Sequence, residues 1–322
     1  MDLLSFAQKK TVRNIVIGVF VYPETINALL RQSSRMPRRE LVLGLFRANK
    51  IAKTVLYFFT KSDITYHPRR YISGTFYNEK TKRWERKNFP FPDVVYDQAM
   101  DPETKQRFDR LRIKKINGTS SLDKYAVHKI FKTVPEISPH LPYTLFCKNV
   151  TVNILNQAFK RNASLYIKAC IGGSGTKVIY VKKLPSGGYQ YRYFLNKLFV
   201  GQVSHIGQLC QVVNRFLSRQ NIIIQEEIQL LRVNQRIMDF RAELHRNGQG
   251  QLEIHAIIVR VGKKNSPIST YGDRYLYDDF FKKFTNIPLK EDAAAIKKKL
   301  IRLMTVIYET IEEHYGPFGE MG

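Results

Sequence analysis

The sequence has few of the residues that build covalently cross-linked or metal-centred folds. Its three cysteines, Cys147, Cys170 and Cys210, are odd in number and lack CxxC spacing, which argues against a disulfide framework or a zinc site and for a reducing compartment. The seven histidines show no HExxH or comparable ligand spacing. Because no apolar run reaches the ~20 residues of a membrane span, we expect a cytoplasmic protein without a membrane partner.

Acidic residues are also scarce. The chain of 322 residues has 27 Asp and Glu against 53 Lys and Arg, which gives a net charge of +26. Such a charge attracts nucleotide phosphates, nucleic acid, an acidic polymer or an acidic surface. The basic residues are spread along the whole chain, which also fits general solubility. We recognise no nucleic-acid-binding motif, so nucleic acid is not the expected partner.

The first part of the chain has the pattern of an α/β layer. Apolar, β-branched runs predict buried strands at Val12–Tyr22 and Thr54–Phe59, and helical spacing predicts a helix at Arg38–Lys50 between them. At 322 residues the chain is long enough for two or three domains. We place a boundary near Gly118, which gives an N-terminal α/β domain at 1–118 and a second domain at 119–322.

The sequence around this boundary predicts two helices. The charged segment Asp101–Lys115 is typical of a connecting helix, and Asn117-Gly118 ends it. Ser120, with Asp123 three residues later, resembles a capping box that opens the next helix. We therefore expect Ser120 to be the N-cap residue of that helix.

A glycine-rich loop between two strands is the most informative segment. Leu165–Lys168 and Val178–Val181 are β-type segments, and Gly172-Gly173-Ser174-Gly175 lies between them. Glycines allow backbone N–H groups to approach phosphate oxygens, and a lysine at a strand end meets the same charge. The loop returns into a strand, so it is not a Walker loop, which leads into a helix. A plain turn is the alternative interpretation.

Further residues after Gly118 fit a nucleotide pocket when they are taken together. A triphosphate needs several cations, and the candidates are Lys124, Lys168, Arg241 and Arg260. An adenine edge needs backbone donors and acceptors, which a strand leaving the core at Gln225-Glu226-Glu227-Ile228 supplies. Glu227 or Asp239 would accept from ribose hydroxyls. Each residue also has an ordinary interpretation as a solvated lysine, an exposed loop acid or a structural ion pair.

These residues, in this order and spacing, resemble the ATP-grasp superfamily, and most closely the YheC/YheD-like endospore coat-associated family. The resemblance covers nearly the whole chain from about Val12. It is carried by Ile17-Gly18-Val19, Phe91-Pro92-Asp93-Val94-Val95-Tyr96-Asp97, Leu122-Asp123-Lys124, Tyr166-Ile167-Lys168, Gly173-Ser174-Gly175, Gln225-Glu226, Asp239-Phe240-Arg241, Val259-Arg260 and Gly319-Glu320-Met321-Gly322.

The resemblance implies an α+β and α/β protein with an N-terminal α/β pre-ATP-grasp domain and an ATP site between two α+β subdomains. Lys124 and Lys168 would hold phosphates, with the glycine loop closing over them and residues 225 to 228 meeting the adenine. Asp239 and Arg260 match positions that contact nucleotide in related ligases, and Arg241 and Arg260 would serve catalysis. Such enzymes typically phosphorylate a carboxylate with ATP and let an amine attack the acyl phosphate.

The sequence departs from the family in two places. Ala169-Cys170 follows Lys168 where the family usually has proline, and Gly322 ends the chain where members continue into strands with an acidic residue and a Glu-x-Asn. Those residues hold the family's Mg²⁺ ions, so we expect the magnesium ligands and the last metal-binding strands to be absent. The alternative function is a non-catalytic basic coat protein that binds an acidic polymer or spore-coat components.

Overall fold

The chain forms two compact units, residues 1–120 and 121–322. The computed structural model describes residues 14–36, 38–67, 70–99, 101–117, 121–173, 175–218, 220–289 and 291–322. Gly118, where we place the domain boundary, and Ser120, the predicted N-cap, lie outside the described residues. The assignment of 1–118 and 119–322 as two functional domains stays a prediction.

The first unit is an α/β layer with a mixed sheet. Its elements in chain order are β1 (Val16–Phe20), α1 (Pro23–Leu30), α2 (Arg39–Ala52), β2 (Val55–Phe59), β3 (Ile64–Thr65), β4 (Tyr71–Asn78), β5 (Arg83–Phe89), β6 (Val94–Asp97), α3 (Pro102–Arg110) and β7 (Lys114–Lys115). The strand order is β3-β4-β2-β1-β6-β7, with β5 paired to β4. Strands β2, β1, β6 and β7 are parallel, and β3, β4 and β5 are antiparallel.

Apolar clusters cover both faces of this sheet because its central strands are apolar at nearly every position. Along β2, Tyr57 and Phe59 lie in one cluster and Phe58 lies in the other, as the alternation of side chains in a strand requires. All three are at most 1% exposed. A parallel strand buried on both faces is expected to show such a continuous apolar run. The predicted strand, helix and strand correspond to β1, α2 and β2, and Val12 and Arg13 of the first predicted strand lie outside the described residues.

The predicted connecting helix at Asp101–Lys115 is shorter than expected. Helix α3 begins after Asp101, whose carboxylate accepts a hydrogen bond from the Thr104 backbone N–H at 2.8 Å. The helix ends at Arg110, and Arg112 has a positive φ of 55°. Lys114 and Lys115 then extend beside β6 as strand β7. The error arose because a run of charged residues does not reveal where sheet pairing replaces helical hydrogen bonding.

The described residues of the second unit form two sheets. Its elements are α4 (Lys124–Lys132), β8 (Thr144–Cys147), α5 (Val152–Phe159), β9 (Ser164–Ala169), β10 (Val178–Lys183), β11 (Tyr189–Phe194), β12 (Leu198–Val203), α6 (Ile206–Phe216), β13 (Ile222–Glu226), β14 (Arg232–Val233), β15 (Arg236–Arg246), β16 (Leu252–Val261), β17 (Asp273–Leu276), α7 (Tyr277–Lys283), α8 (Ala293–Tyr315) and β18 (Glu320–Met321). An antiparallel sheet has the order β12-β11-β10-β9-β13-β8, and a second has the order β14-β15-β16-β17, with β18 paired to β15.

The six-stranded sheet presents a different chemistry on each face. On β9, Leu165, Ile167 and Ala169 belong to the apolar cluster that includes residues of α5 and α6. The side chains between them, Tyr166 and Lys168, therefore lie on the opposite face. Because one face is fixed by the core, the register of β9 also fixes where the polar groups of the other face lie.

The five-stranded sheet forms a separate core with the last two helices. Val259 of β16, Phe280 of α7, and Tyr308 and Ile311 of α8 are at most 2% exposed and share one apolar cluster. The helical spacing of Ile296, Leu300, Leu303, Ile307 and Ile311 in the sequence predicts an amphipathic helix at Ala293–Tyr315, and α8 has these bounds. Among the described residues, no helix is both long and apolar enough to cross a membrane.

Candidate functional site

A cleft of about 350 Å³ lies in the second unit. Its walls come from β9, β10, β13, β15, β16, the start of α4 and the 262–272 segment that joins β16 to β17. Seven of the residues singled out in the sequence line it, namely Lys124, Lys168, Gln225, Glu226, Ile228, Asp239 and Arg260. Glu227, Arg241 and the glycines of the loop are not among its lining residues. Three cations and two carboxylates therefore surround one cavity.

Lys168 lies on the cleft face of β9, where the strand nears its end. Its ammonium Nζ donates a hydrogen bond at 2.7 Å to Oε1 of Gln225, which lies diagonally across on β13, where Lys168 is paired with Ile223. Burial, together with the nearby charge of Lys124, lowers the pKa of Lys168 from 10.5 to about 8. This ammonium is buried, donates to a neutral acceptor and lies near a second cation. An anion bound beside it would therefore stabilise its charged form.

Lys124 is the first residue of α4, directly after the N-cap. The N-cap is Asp123, whose Oδ1 accepts from the backbone N–H groups of Tyr125 and Ala126 at 2.8 and 2.9 Å. The predicted capping box is therefore wrong about Asp123, which was expected three residues inside the helix. A short carboxylate at this position satisfies two free N–H groups of the first turn, and this places Lys124 toward the cleft.

The Lys124 ammonium lies over the end of β9 and the start of the glycine loop. Its Nζ donates to the backbone oxygens of Gly172 at 2.7 Å and Ala169 at 3.1 Å. Burial lowers its pKa. Both cleft lysines thus have neutral oxygen acceptors, which a phosphate oxygen would replace with a charge-assisted hydrogen bond.

The glycine loop joins β9 to β10, which pair antiparallel from Lys168 and Val178 onward, as the sequence predicts. Gly172 and Gly175 have φ of +134° and +71°, a region that favours glycine. A Cβ on Gly175 would lie 2.5 Å from Ile268 Cδ1, so the loop closes against a residue that lines the cleft. Ser174 lies outside the described residues.

The segment that leaves β13 is anchored by its own side chains. Glu226 Oε1 accepts from the Tyr143 backbone N–H at 2.7 Å, and Gln225 Nε2 donates to Thr144 Oγ1 at 3.0 Å. Glu227 accepts from the Tyr180 hydroxyl at 3.2 Å. These carboxylates therefore hold the strand end in place, while Ile228, which is 51% exposed, offers an apolar surface to the cleft.

Asp239 and Arg260 form a bidentate ion pair across β15 and β16, where they stand opposite each other. Arg260 Nε and Nη2 donate to the two Asp239 oxygens at 2.7 and 2.8 Å. Ser269 Oγ donates to the same carboxylate at 2.6 Å. Sequence reasoning missed Ser269, which is 4% exposed, because nothing in the 262–272 segment signals which hydroxyl turns inward.

Arg241 does not reach this cleft. It shares a strand face with Asp239 by alternation, but its guanidinium is exposed and lies 3.4 Å from Glu243 Oε1. The sequence alone could not distinguish it from Arg260, since both are arginines on strands with acidic residues close by. The structure brings Arg260 and not Arg241 to the cleft.

The apolar part of the cleft was also not identified from the sequence. Tyr166 lies next to Lys168 on the cleft face of β9, and its hydroxyl donates to the Pro267 backbone oxygen at 3.1 Å. Leu230 and Ile237 extend the apolar surface that Ile228 begins. The signal for Tyr166 was available, because a strand that places Lys168 on one face must place the residue two before it there too.

The described residues do not form a recognisable magnesium site. Among them, no three or more His, Cys, Asp or Glu side chains are grouped so as to hold a metal ion. The two carboxylates of the cleft are already engaged, Glu226 by a backbone N–H and Asp239 by Arg260 and Ser269. Magnesium takes oxygen ligands in near-octahedral geometry, and this set does not fit that requirement.

Comparison with known proteins matches the chain to a family model and to a curated relative. A sequence model of the family described as YheC/D like ATP-grasp matches residues 112–322. The endospore coat-associated protein YheD of Bacillus subtilis (strain 168) is 28% identical over 208 residues, which are 61% of this chain and 44% of that protein. The chain thus spans less than half the length of this curated relative.

A solved structure is similar over most of the chain. The VanG D-Ala:D-Ser ligase from Enterococcus faecalis superposes with a TM-score of 0.50 at 13% identity, covering 96% of this chain and 84% of that one. Identity at this level shows a likeness of fold and not of substrate.

Proposed function

Because the chain belongs to the YheC/D-like ATP-grasp family, we propose that the cleft of the second unit binds ATP. The observation that carries the proposal is the convergence of Lys124 and Lys168 at one cavity, beside a glycine loop whose Gly175 lies against the cleft residue Ile268. Among the described residues, each lysine ammonium donates hydrogen bonds only to neutral oxygen acceptors. The phosphates would take their place.

The adenine would lie at the β13 end of the cleft. Tyr166, Ile228 and Ile237 give that end apolar walls, and a purine ring gains from contact with such surfaces and from stacking on an aromatic ring. In the backbone that leaves β13, the N–H groups of Glu226 and Glu227 already donate to Tyr143 and Ser164, so the peptide groups around Ile228 would meet the purine edge. The hydrogen bonds of Gln225 and Glu226 fix this backbone before the ligand arrives, which reduces the entropy lost on binding.

The Asp239–Arg260 pair would contribute differently from the lysines. Its two charges already satisfy each other, and Ser269 adds a third contact. We therefore assign it to shaping the cleft wall and orienting polar groups toward the nucleotide. The family resemblance implies ligation of a carboxylate to an amine, and nucleotide binding by this cleft is the step that its residues support.

Thermal unfolding tests the proposal with a matched pair of lysine variants. ATP at about 100 times its Kd should add roughly 2.7 kcal/mol of stability and raise the melting temperature by several degrees. Lys168→Ala should abolish this ligand-induced shift. Lys183→Ala, at the exposed end of β10, should retain it. An intact protein that shows no shift with ATP, with or without Mg²⁺, contradicts the proposal.

A second candidate function rests on the net charge of +26. The YheD relative is described as endospore coat-associated, and we propose that this chain likewise associates with an acidic component of the coat. Binding to polyglutamate should then weaken steeply with added salt, since exposed charges are screened beyond about 8 Å at physiological ionic strength. Binding that does not respond to salt excludes this function.

A further inference from the structure

The first unit contains a pocket of about 330 Å³ that the nucleotide proposal does not use. It lies between the C-terminal half of α2, strand β2 and the hairpin of β4 and β5. Four aromatic rings line it, those of Phe46, Phe58, Tyr77 and Trp84. A volume of this size is at the lower end of the range for small-molecule sites.

The register of the sheet brings the rings together. Tyr77 and Trp84 stand opposite each other on β4 and β5, with ring centroids 5.4 Å apart. Phe46 approaches from α2, with its centroid 4.6 Å from Tyr77 and 6.0 Å from Trp84. Phe58 is 1% exposed and forms the floor, whereas the other three rings are half-buried. The pocket therefore exposes aromatic surface to a ligand.

The rim of the pocket is basic. Lys50 Nζ lies 4.7 Å from the centroid of the Phe46 ring and 3.3 Å from Glu79 Oε1. Glu79 also accepts from Lys82 at 3.0 Å, and Lys53 lines the pocket beside Lys50. Glu79 is thus the one carboxylate among the described lining residues, and it is shared by Lys50 and Lys82, while Lys53 adds a further positive charge. This rim repels a cationic ligand and attracts an anionic one.

We propose that this pocket binds a flat aromatic ring that carries a negatively charged group. The ring packs against Phe46, Tyr77 and Trp84, where offset or edge-on contacts between aromatic rings are favourable. The charged group pairs with Lys50 and Lys53. A nucleoside monophosphate and an aromatic carboxylate share this chemistry, and the site stands independently of the cleft in the second unit.

The test uses the intrinsic fluorescence of Trp84, the one tryptophan of the chain. The intact protein is titrated with AMP, benzoate, adenosine and inorganic phosphate. Saturable quenching by AMP or benzoate is expected. Adenosine and phosphate, which lack the charge or the ring, should bind at least about fivefold more weakly, which corresponds to about 1 kcal/mol. Tighter binding of AMP identifies a nucleotide ligand, and tighter binding of benzoate identifies an aromatic acid.

Three variants show whether the quenching ligand occupies this pocket. Lys50→Gln combined with Lys53→Gln should weaken quenching, and Lys80→Gln, an exposed lysine in the turn of the same hairpin, should leave it unchanged. Lys168→Ala should also leave it unchanged. The proposal is overturned if neither AMP nor benzoate quenches Trp84 saturably, if the double variant binds as the intact protein does, or if Lys168→Ala removes the response.

Discussion

ATP binding to the cleft of the second unit should depend on pH through Lys168. Burial and the charge of Lys124 lower the pKa of this ammonium from 10.5 to about 8 in the ligand-free protein. Phosphate oxygens placed beside it would favour the charged form and raise the pKa again. Binding should therefore take up a proton whenever the pH lies between the free and bound values.

The pKa of Lys168 sets the size of this effect. If the bound nucleotide restores the ordinary 10.5, linkage predicts that affinity falls roughly 20-fold between about pH 7.5 and 9.5. The sign follows because the unliganded lysine loses its charge over this interval and the liganded one does not. In the ligand-free protein, the same depressed pKa makes the contribution of Lys168 to stability rise between about pH 8 and 10.5.

Calorimetric titration of ATP across this range measures the effect, and Lys168→Arg is the control. Arginine stays charged at every pH used, so the variant should bind ATP with a much flatter profile. Any titration of Lys124 or of the nucleotide itself remains in both proteins and cancels in the comparison. Equal pH profiles for the intact protein and the Lys168→Arg variant, or tighter binding at high pH, would refute the reasoning.

Three further variants probe the walls of the cleft. Gly175→Ala should weaken ATP binding in calorimetry, because a φ of +71° strains any residue with a Cβ and the end of the Ile268 side chain, which lines the cleft, would have to move, whereas Gly173→Ala, with no atom within 4 Å, should not. Ser269→Ala should lower the free energy of unfolding in urea by about 1.5–3 kcal/mol, since it removes a hydrogen bond to a carboxylate, with Ser218→Ala, an exposed serine, near neutral. Asp239→Asn should destabilise the protein more than Arg241→Gln in the same assay, because Arg260 then loses its partner. Equal effects within any of these pairs would contradict the corresponding assignment.

The family and the mixed fold were predictable from the sequence and are confirmed by the family match. Long periodic segments were the most reliable, and α8, with its apolar residues at helical spacing, was placed at its observed bounds. Two-residue strands such as β7 and β18 were not foreseen. Their pairing depends on partners distant in the chain, Val94–Val95 for β7 and Leu244–His245 for β18, and no local pattern encodes them.

The site was predictable where strand alternation constrains it. Lys168 alternates with the core residues Leu165, Ile167 and Ala169 of β9 and must face away from the core, so its place on the cleft follows from local sequence. Glu227 was harder, since a carboxylate after a strand is equally suited to a ribose hydroxyl and to a hydroxyl of the protein, and here it accepts from Tyr180. The roles assigned to the individual residues remain predictions until nucleotide binding is measured.

Cross-strand register decides which cations are available to an anion. The sequence contains four candidate cations, and their charge alone does not distinguish Lys124, Lys168, Arg241 and Arg260. The antiparallel pairing of β15 with β16 sets Arg260 opposite Asp239, and this carboxylate compensates its charge. Arg241, two residues along β15, lies beside Glu243 instead. The two lysines hold neutral acceptors in the described structure, and an anion therefore gains most of its electrostatic stabilisation from them. Anion binding by this cleft thus depends on two lysines whose hydrogen-bond acceptors in the described structure are neutral, although the charge of Asp123 also acts on Lys124, and not on the total positive charge of the chain.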